Sequence, residues 1–255
     1  MLKPNTFKRA LYGDQLQIGL WCSLAGNVTS DLIAASGFDW LAIDMEHSPN
    51  DLPSVLIQLQ VMAAYPLEAL VRLPSSDPYL TRQLLDTGAR SLIFPCIESA
   101  AEAASIVEQT RYPMKGKRGV AGLQRANRYG RVPSYHRNAS EDIALVMQIE
   151  SPAGVKAAAE IASVDGVDAL FVGPSDLAAT MDCLGNPSDQ AVQAAISEVQ
   201  RAARSVGKAA AILASAHVDA RRYIENGFSM VGVGTDQGLL ARGCDDLVAM
   251  FKPSR

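Results

Sequence analysis

Short apolar, β-prone runs alternate with longer stretches of helical periodicity along almost the whole chain, and this alternation constrains the fold more than any other feature. The strand candidates are QIGLWC (17–22), WLAID (40–44), EALVRL (68–73), SLIFP (91–95), ALVMQI (144–149), DALFV (168–172), AAAIL (209–213) and SMVGV (229–233). Their nearly continuous apolar character marks strands buried on both faces, as in a parallel sheet. Helical periodicity starts near Thr29, returns in LPSVLIQLQVMAA, PYLTRQLLDTG, SAAEAASIVEQT and PAGVKAAAEIAS, and recurs over Gln190–Val206 and His217–Asn226. Eight such strands predict an α/β fold, a (β/α)8 TIM barrel. At 255 residues the chain has the length of one such barrel, so residues 1–255 are expected to form a single domain. The last segment, LLARGCDDLVAMFKPSR, predicts an additional C-terminal docking helix with a frayed basic end.

One stretch breaks the rhythm. MKGKRGVAGLQRANRYGRVPSYHRN is long, polar and glycine-containing, a pattern that suits a substrate lid or an oligomer contact. KGKRG (115–119) lacks the spacing of a phosphate-binding loop and reads as a solvated loop. A net charge of −4 gives the chain no general attraction to nucleic acid or anionic lipid. No apolar run is long enough to span a bilayer and the N-terminus lacks a secretory pattern, so a soluble cytoplasmic protein is the expectation. Cys22, Cys96, Cys183 and Cys244 have no paired spacing and are expected to be reduced thiols, with Cys22 and Cys96 structural. Trp21 and Trp40 are expected in the core, and His136 and His217 in loop or helix contacts.

Barrels of this kind carry chemistry where strands end at the C-terminal face. Asp44, Glu46 and His47 follow the second strand candidate, Arg72 ends the third, Gln148 and Glu150 close the fifth, and Asp176 follows the sixth. Glu150 and Asp176 are the best metal candidates: two carboxylates suit a hard divalent cation, with water and an α-keto acid as further oxygen ligands. Mg2+ or Mn2+ fits such donors, and Co2+ is compatible with them. Their alternative role is to cap or brace neighbouring loops. His47 is a candidate base, oriented by Asp44 or Asp86, or else a structural residue of the turn EHSPND. Arg72 can hold an anionic substrate and an enolate oxygen, or simply form a salt bridge. Gly173, Pro174 and Ser175 of VGPSD can offer backbone donors to a small carboxylate beside Asp176.

Taken together, GFDWLAIDMEH (37–47), VRLP (71–74), LLDTGA (84–89), RYPMKGKRGV (111–120), QIES (148–151) and GVDALFVGPSDLA (166–178) resemble the HpcH/HpaI aldolases, metal-dependent class II pyruvate aldolases. The likeness covers residues 5 to 250, and the order and spacing of the pieces make it specific. It implies reversible retro-aldol cleavage of a 4-hydroxy-2-oxo acid, such as 4-hydroxy-2-oxoheptane-1,7-dioate or a 2-dehydro-3-deoxy sugar acid, to pyruvate and an aldehyde. It further implies that Glu150 and Asp176 bind Mg2+, Mn2+ or Co2+, and that His47 is the base. Arg72 would stabilise the pyruvate enolate, Asp44 and Asp86 would support proton transfer, and Gln148 and the backbone around Ser175 would contact substrate. A homohexamer, a trimer of dimers exchanging the last helix, is also implied. Two departures loosen the choice of aldehyde: Met45 stands where glycine is common, and Cys183 falls in the loop after the metal acid. The competing expectations are citrate-lyase-like or malyl-CoA-lyase-like cleavage on the same barrel, or a noncatalytic ligand-binding barrel.

Overall fold

The computed structural model describes residues 4–252. Eight parallel strands close in sequence order: β1 (Gln17–Cys22), β2 (Trp40–Asp44), β3 (Glu68–Arg72), β4 (Ser91–Phe94), β5 (Ala144–Ile149), β6 (Ala169–Val172), β7 (Ala209–Leu213) and β8 (Met230–Thr235). Around them lie α1 (Thr6–Tyr12), α2 (Asn27–Ala34), α3 (Leu52–Met62), α4 (Pro78–Thr87), α5 (Ala100–Thr110), α6 (Tyr135–Asn138), α7 (Pro152–Ser163), α8 (Pro174–Thr180), α9 (Gln190–Ser205), α10 (His217–Glu225) and α11 (Asp236–Phe251). All eight expected strands and the barrel closure are present. Three helices lie outside the sequence expectation: α1, the short α6 inside the interrupting stretch, and α8, which occupies what reads as a polar loop.

Side-chain shape explains how the barrel fills. Trp21, Trp40 and Phe171 cluster in its interior, with ring centroids 6.0 Å apart for the Trp pair and 5.2 Å for Trp21 and Phe171. Ala144, Ala169, Ala209 and Ala211 complete the same interior cluster, so small residues on β5 to β7 make room for the aromatics. Gly19 has a sharper requirement: a Cβ there would overlap the Trp40 indole, which is fully buried. Phe7 and Leu11 of α1 join the interior cluster, so α1 stoppers the N-terminal end and leaves the opposite end for chemistry.

Local capping sets where the return helices begin. Asp51 and Ser54 form a reciprocal capping box on α3, and Asp77, Ser99 and Ser151 cap α4, α5 and α7 through their side chains. The interrupting stretch after α5 contains a 3-10 turn at Arg125–Asn127 and the short α6. The barrel walls do not bury α11: of its sixteen residues only Asp236 is buried. The basic end expected after it falls largely on residues 253–255, outside the described residues. Among the described residues, no helix is long and apolar enough to cross a membrane.

Candidate active site

The loop after β2 is built by Asp44. Its Oδ1 accepts the backbone N–H groups of Glu46 (3.0 Å) and His47 (3.3 Å), which folds the chain back over the strand end. Ser48 Oγ and Asn50 Nδ2 donate to the Asp44 carbonyl, the latter at 2.8 Å, and Gln58 of α3 holds Asn50 at 2.6 Å. The EHSPN turn is thus fixed from below by buried amides.

Asp44 also grips Arg72 on the neighbouring strand. Arg72 Nε donates to Oδ1 at 2.9 Å and Nη2 to Oδ2 at 2.7 Å, a bidentate pair that fixes the guanidinium plane. The third nitrogen, Nη1, lies 3.0 Å from Glu46 Oε2, and the Trp21 ring lies beneath the guanidinium, 5.2 Å from Cζ to the centroid. Burial pushes the Asp44 carboxyl up, but the hydrogen bonds and charge of Arg72 outweigh it and hold the group below its ordinary value.

On the facing wall, Gln148 Nε2 donates to Glu150 Oε1, while the backbone N–H and the thiol of Cys96 reach Glu150 Oε2 at 3.2 and 3.3 Å. Gly173 is what admits this carboxylate, because a Cβ there would overlap Glu150 Oε1 and stand 3.1 Å from Gln148 Nε2. Burial pushes the Glu150 carboxyl up and the nearby negative charge of Asp176 adds to the shift. Glu46 is pushed up for the same leading reason, with Glu150 adding repulsion and Arg72 opposing it. The mouth therefore concentrates negative charge on the side facing Arg72.

These residues fit a hard divalent cation. Glu150 and Asp176 are like charges close enough to raise Glu150, and the buried Gln148 Oε1 lacks a hydrogen-bond partner, so oxygen donors outnumber positive charges beside them. Among the described residues no three His, Cys, Asp or Glu side chains converge at ligand spacing, so a cation held by Glu150 and Asp176 would need further oxygen ligands from water or substrate.

The raised carboxyls carry a pH signature. In the cation-free protein, Glu46 and Glu150 bind protons more readily folded than unfolded, so stability falls as pH rises above the ordinary glutamate range. Its Tm is expected to rise as pH is lowered from about 7 toward about 5, then fall at lower pH as Asp44, with its depressed value, takes a proton and releases Arg72. A divalent cation should flatten the upper part of this curve in differential scanning calorimetry.

The structure unites Asp44, Arg72, Gln148, Glu150, Gly173 and Asp176 at one mouth, and separates two expected partners. Asp86 lies at the end of α4 that leads down into β4, at the opposite end of the barrel, where Arg118 Nη2 bonds it at 2.7 Å. Within one chain it cannot orient His47. The carboxylate of Asp44 reaches only the backbone of His47, because Arg72 takes its remaining lone pairs; the imidazole projects outward with a side chain 63% exposed. Cys96, expected to be a structural thiol, is instead an exposed residue at the mouth. Burial of its sulfur, followed by its bond to Glu150, pushes the thiol up to about 12. No pattern in SLIFPCIES marks that role, since it depends on β4 lying beside β5.

A closed parallel barrel with an arginine and paired carboxylates at the C-terminal mouth defines the structural class. The profile of the HpcH/HpaI aldolase/citrate lyase family matches residues 17–243, and the chain belongs to that family. It is 46% identical over 248 residues to a 4-hydroxy-2-oxo-heptane-1,7-dioate aldolase of Klebsiella pneumoniae subsp. pneumoniae, covering 97% of this chain and 94% of the relative. A 5-keto-4-deoxy-D-glucarate aldolase of the same organism is 42% identical over 249 residues, covering 98% and 97%. A crystal structure of an HpcH/HpaI aldolase/citrate lyase family protein from Burkholderia cenocepacia superposes with a TM-score of 0.94 at 40% identity, covering 96% of this chain and 98% of the other.

Proposed function

We propose that this protein is a divalent-metal-dependent pyruvate aldolase that cleaves a 4-hydroxy-2-oxo acid to pyruvate and an aldehyde, and runs the addition in reverse. The observation that carries the proposal is the fixed Arg72 guanidinium opposite the Gln148–Glu150 pair, with Asp176 close by. Relatives named as aldolases of a heptanedioate and of a deoxy-glucarate support the reaction class.

Glu150 and Asp176 would hold Mg2+, Mn2+ or Co2+, which supplies Lewis acidity to the substrate's 2-oxo acid oxygens. Arg72 would bind the developing negative charge on the C2 oxygen, its plane already set by Asp44 so that little reorganisation is needed. The Gln148 amide and the backbone at Gly173, Pro174 and Ser175 would orient the carboxylate. His47 would take the proton from the C4 hydroxyl; the C3–C4 bond then breaks, its electrons passing into the enolate while C4 becomes the aldehyde carbonyl. Protonation at C3 completes pyruvate. Lysine is not required in this scheme.

We assign the exposed side of α11 to docking on neighbouring copies in a homohexamer built as a trimer of dimers. Leu240, Leu247, Met250 and Phe251 are all exposed on this helix, more apolar surface than a lone protomer hides.

The deciding assay incubates chelated and Mg2+-, Mn2+- or Co2+-loaded protein with 4-hydroxy-2-oxoheptane-1,7-dioate, with 2-dehydro-3-deoxyglucarate and with a malyl thioester of CoA, measuring pyruvate and aldehyde separately. Pyruvate release is expected only after metal addition and only from the free oxo acids. Glu150→Gln should lose at least about 100-fold in cation affinity by calorimetry, in line with removal of one of two charged ligands. Full turnover after verified metal removal, or cleavage restricted to the thioester, would overturn the proposal.

A further inference from the structure

One further donor stands beside the two carboxylates of the cation site. Cys96 lies just beyond β4, and its Sγ is 3.3 Å from Glu150 Oε2. Its backbone N–H reaches the same oxygen at 3.2 Å, and its backbone is left-handed, with a φ of 56°, a conformation that residues other than glycine adopt at a cost. The loop thus turns both the amide and the thiol onto one carboxylate oxygen. Zinc holds a thiolate at about 2.3 Å and a carboxylate oxygen at about 2.0–2.2 Å, so two such ligands stand about 3.1 Å apart at a right angle and about 3.6 Å apart at the tetrahedral angle. The observed 3.3 Å falls between these limits. A second observation lies at the other oxygen of the same carboxylate. Gln148, only 2% exposed, donates through Nε2 to Glu150 Oε1, and its own Oε1 is sealed from solvent without a hydrogen-bond partner. A buried amide oxygen in that state is short of a positive neighbour.

Resting on the reading of Glu150 and Asp176 as cation ligands, we propose that Cys96 Sγ is a third ligand of that cation and turns the mouth toward thiophilic divalent ions, Co2+ and Zn2+, in preference to Mg2+. Two carboxylates alone make a hard donor set. A thiolate softens it, because sulfur selects zinc-like ions over magnesium-like ones. In the cation-free chain the thiol proton keeps the place by donating to Oε2. Glu46, Glu150 and Asp176 all press negative charge on the sulfur, and a bound dication reverses the effect of those anions. Coordination breaks the S–H bond, its electron pair forms the sulfur–cation bond, and the proton leaves to solvent with no change of oxidation state. Among the described residues Asp176 does not yet stand at ligand spacing with the Cys96–Glu150 pair, so the ion draws it in.

Cobalt reads the bond directly. Metal-free protein titrated with Co2+ should develop a near-ultraviolet sulfur-to-cobalt charge-transfer band that saturates at one ion per chain, and Cys96→Ser should lack it. By calorimetry Cys96→Ser should bind Co2+ and Zn2+ at least about tenfold more weakly, with its Mg2+ affinity changed less than about threefold. The unsubstituted chain gives an independent reading: saturating Co2+ should shield Cys96 from alkylation, followed by peptide mass spectrometry, whereas saturating Mg2+ should leave it reactive. Absence of the band, its persistence in Cys96→Ser, or an equal loss of Mg2+ and Co2+ affinity would overturn the assignment. Co2+ binding without the band, abolished by Glu150→Gln, would keep the carboxylate site and remove Cys96 from it. A cobalt band in a protein that releases no pyruvate would keep Cys96 as a ligand and reject the aldolase reading.

Discussion

Arg72→Lys is expected to lower kcat/KM for oxo-acid cleavage by about 10²- to 10³-fold while leaving a positive charge at the site. The reason lies in shape. Arg72 engages Asp44 through Nε and Nη2 together and still presents Nη1 toward Glu46. A lysine ammonium cannot satisfy two carboxylates and a planar enolate oxygen from one fixed direction. Arg72→Met should be worse for the fold, because Asp44 would remain as a buried anion without its partner, at a cost of about 3–5 kcal/mol. Pairing it with Asp44→Asn should recover much of that stability and none of the activity. Denaturant titration beside steady-state kinetics separates the two effects; recovery of turnover in the double variant would show that Arg72 serves the fold alone.

The second large effect concerns the barrel interior. Gly19→Ala places a methyl group inside the volume of the Trp40 indole, which is fully enclosed and holds Gln17 O through its Nε1 at 3.2 Å. The ring cannot retreat, since Trp21 meets it edge-on and Gly232 already approaches it from β8. Overpacking of this kind is expected to cost about 3 kcal/mol, or a fall in Tm of about 10 °C for a chain of this size. Trp40→Leu in the Gly19→Ala background should recover part of the loss. A Gly19→Ala protein with unchanged Tm would mean that the interior rings have slack that their contacts do not suggest.

Much of this architecture is legible in the sequence because buried parallel strands leave a strong local trace. Runs such as WLAID and ALVMQI are apolar throughout, and helices like PAGVKAAAEIAS announce themselves with a capping serine and a proline. The strands consequently begin and end within a residue or two of expectation. Helix α1 is harder to foresee, since its stabilisation comes from Phe7 and Leu11 entering a barrel that exists only once all eight strands have closed. The mouth shows the same division. Arg72, Gln148, Glu150 and Asp176 can be picked out because each lies next to a strand end, a position that sequence order reveals. Partnership cannot be read that way. Asp44 stands three residues before His47, which invites a pair, yet the backbone curls so that its carboxylate faces the turn and Arg72. Asp86 carries the right charge, but within one chain it lies at the end of the barrel away from His47.

Asp236 joins parts of the molecule that otherwise have separate tasks. Rooted at the start of α11, its carboxylate accepts the N–H groups of Ser23 at 2.9 and 3.0 Å and of Leu24 at 3.0 Å, and the Ser23 hydroxyl in turn looks toward Asp44. The helix is thus anchored at the barrel rim by its one buried residue, while the rest of its length stays largely exposed. The root of α11 is joined through the Ser23 and Leu24 peptides to the neighbourhood of Asp44, so a substitution at Asp236 is expected to loosen the loop that borders the guanidinium.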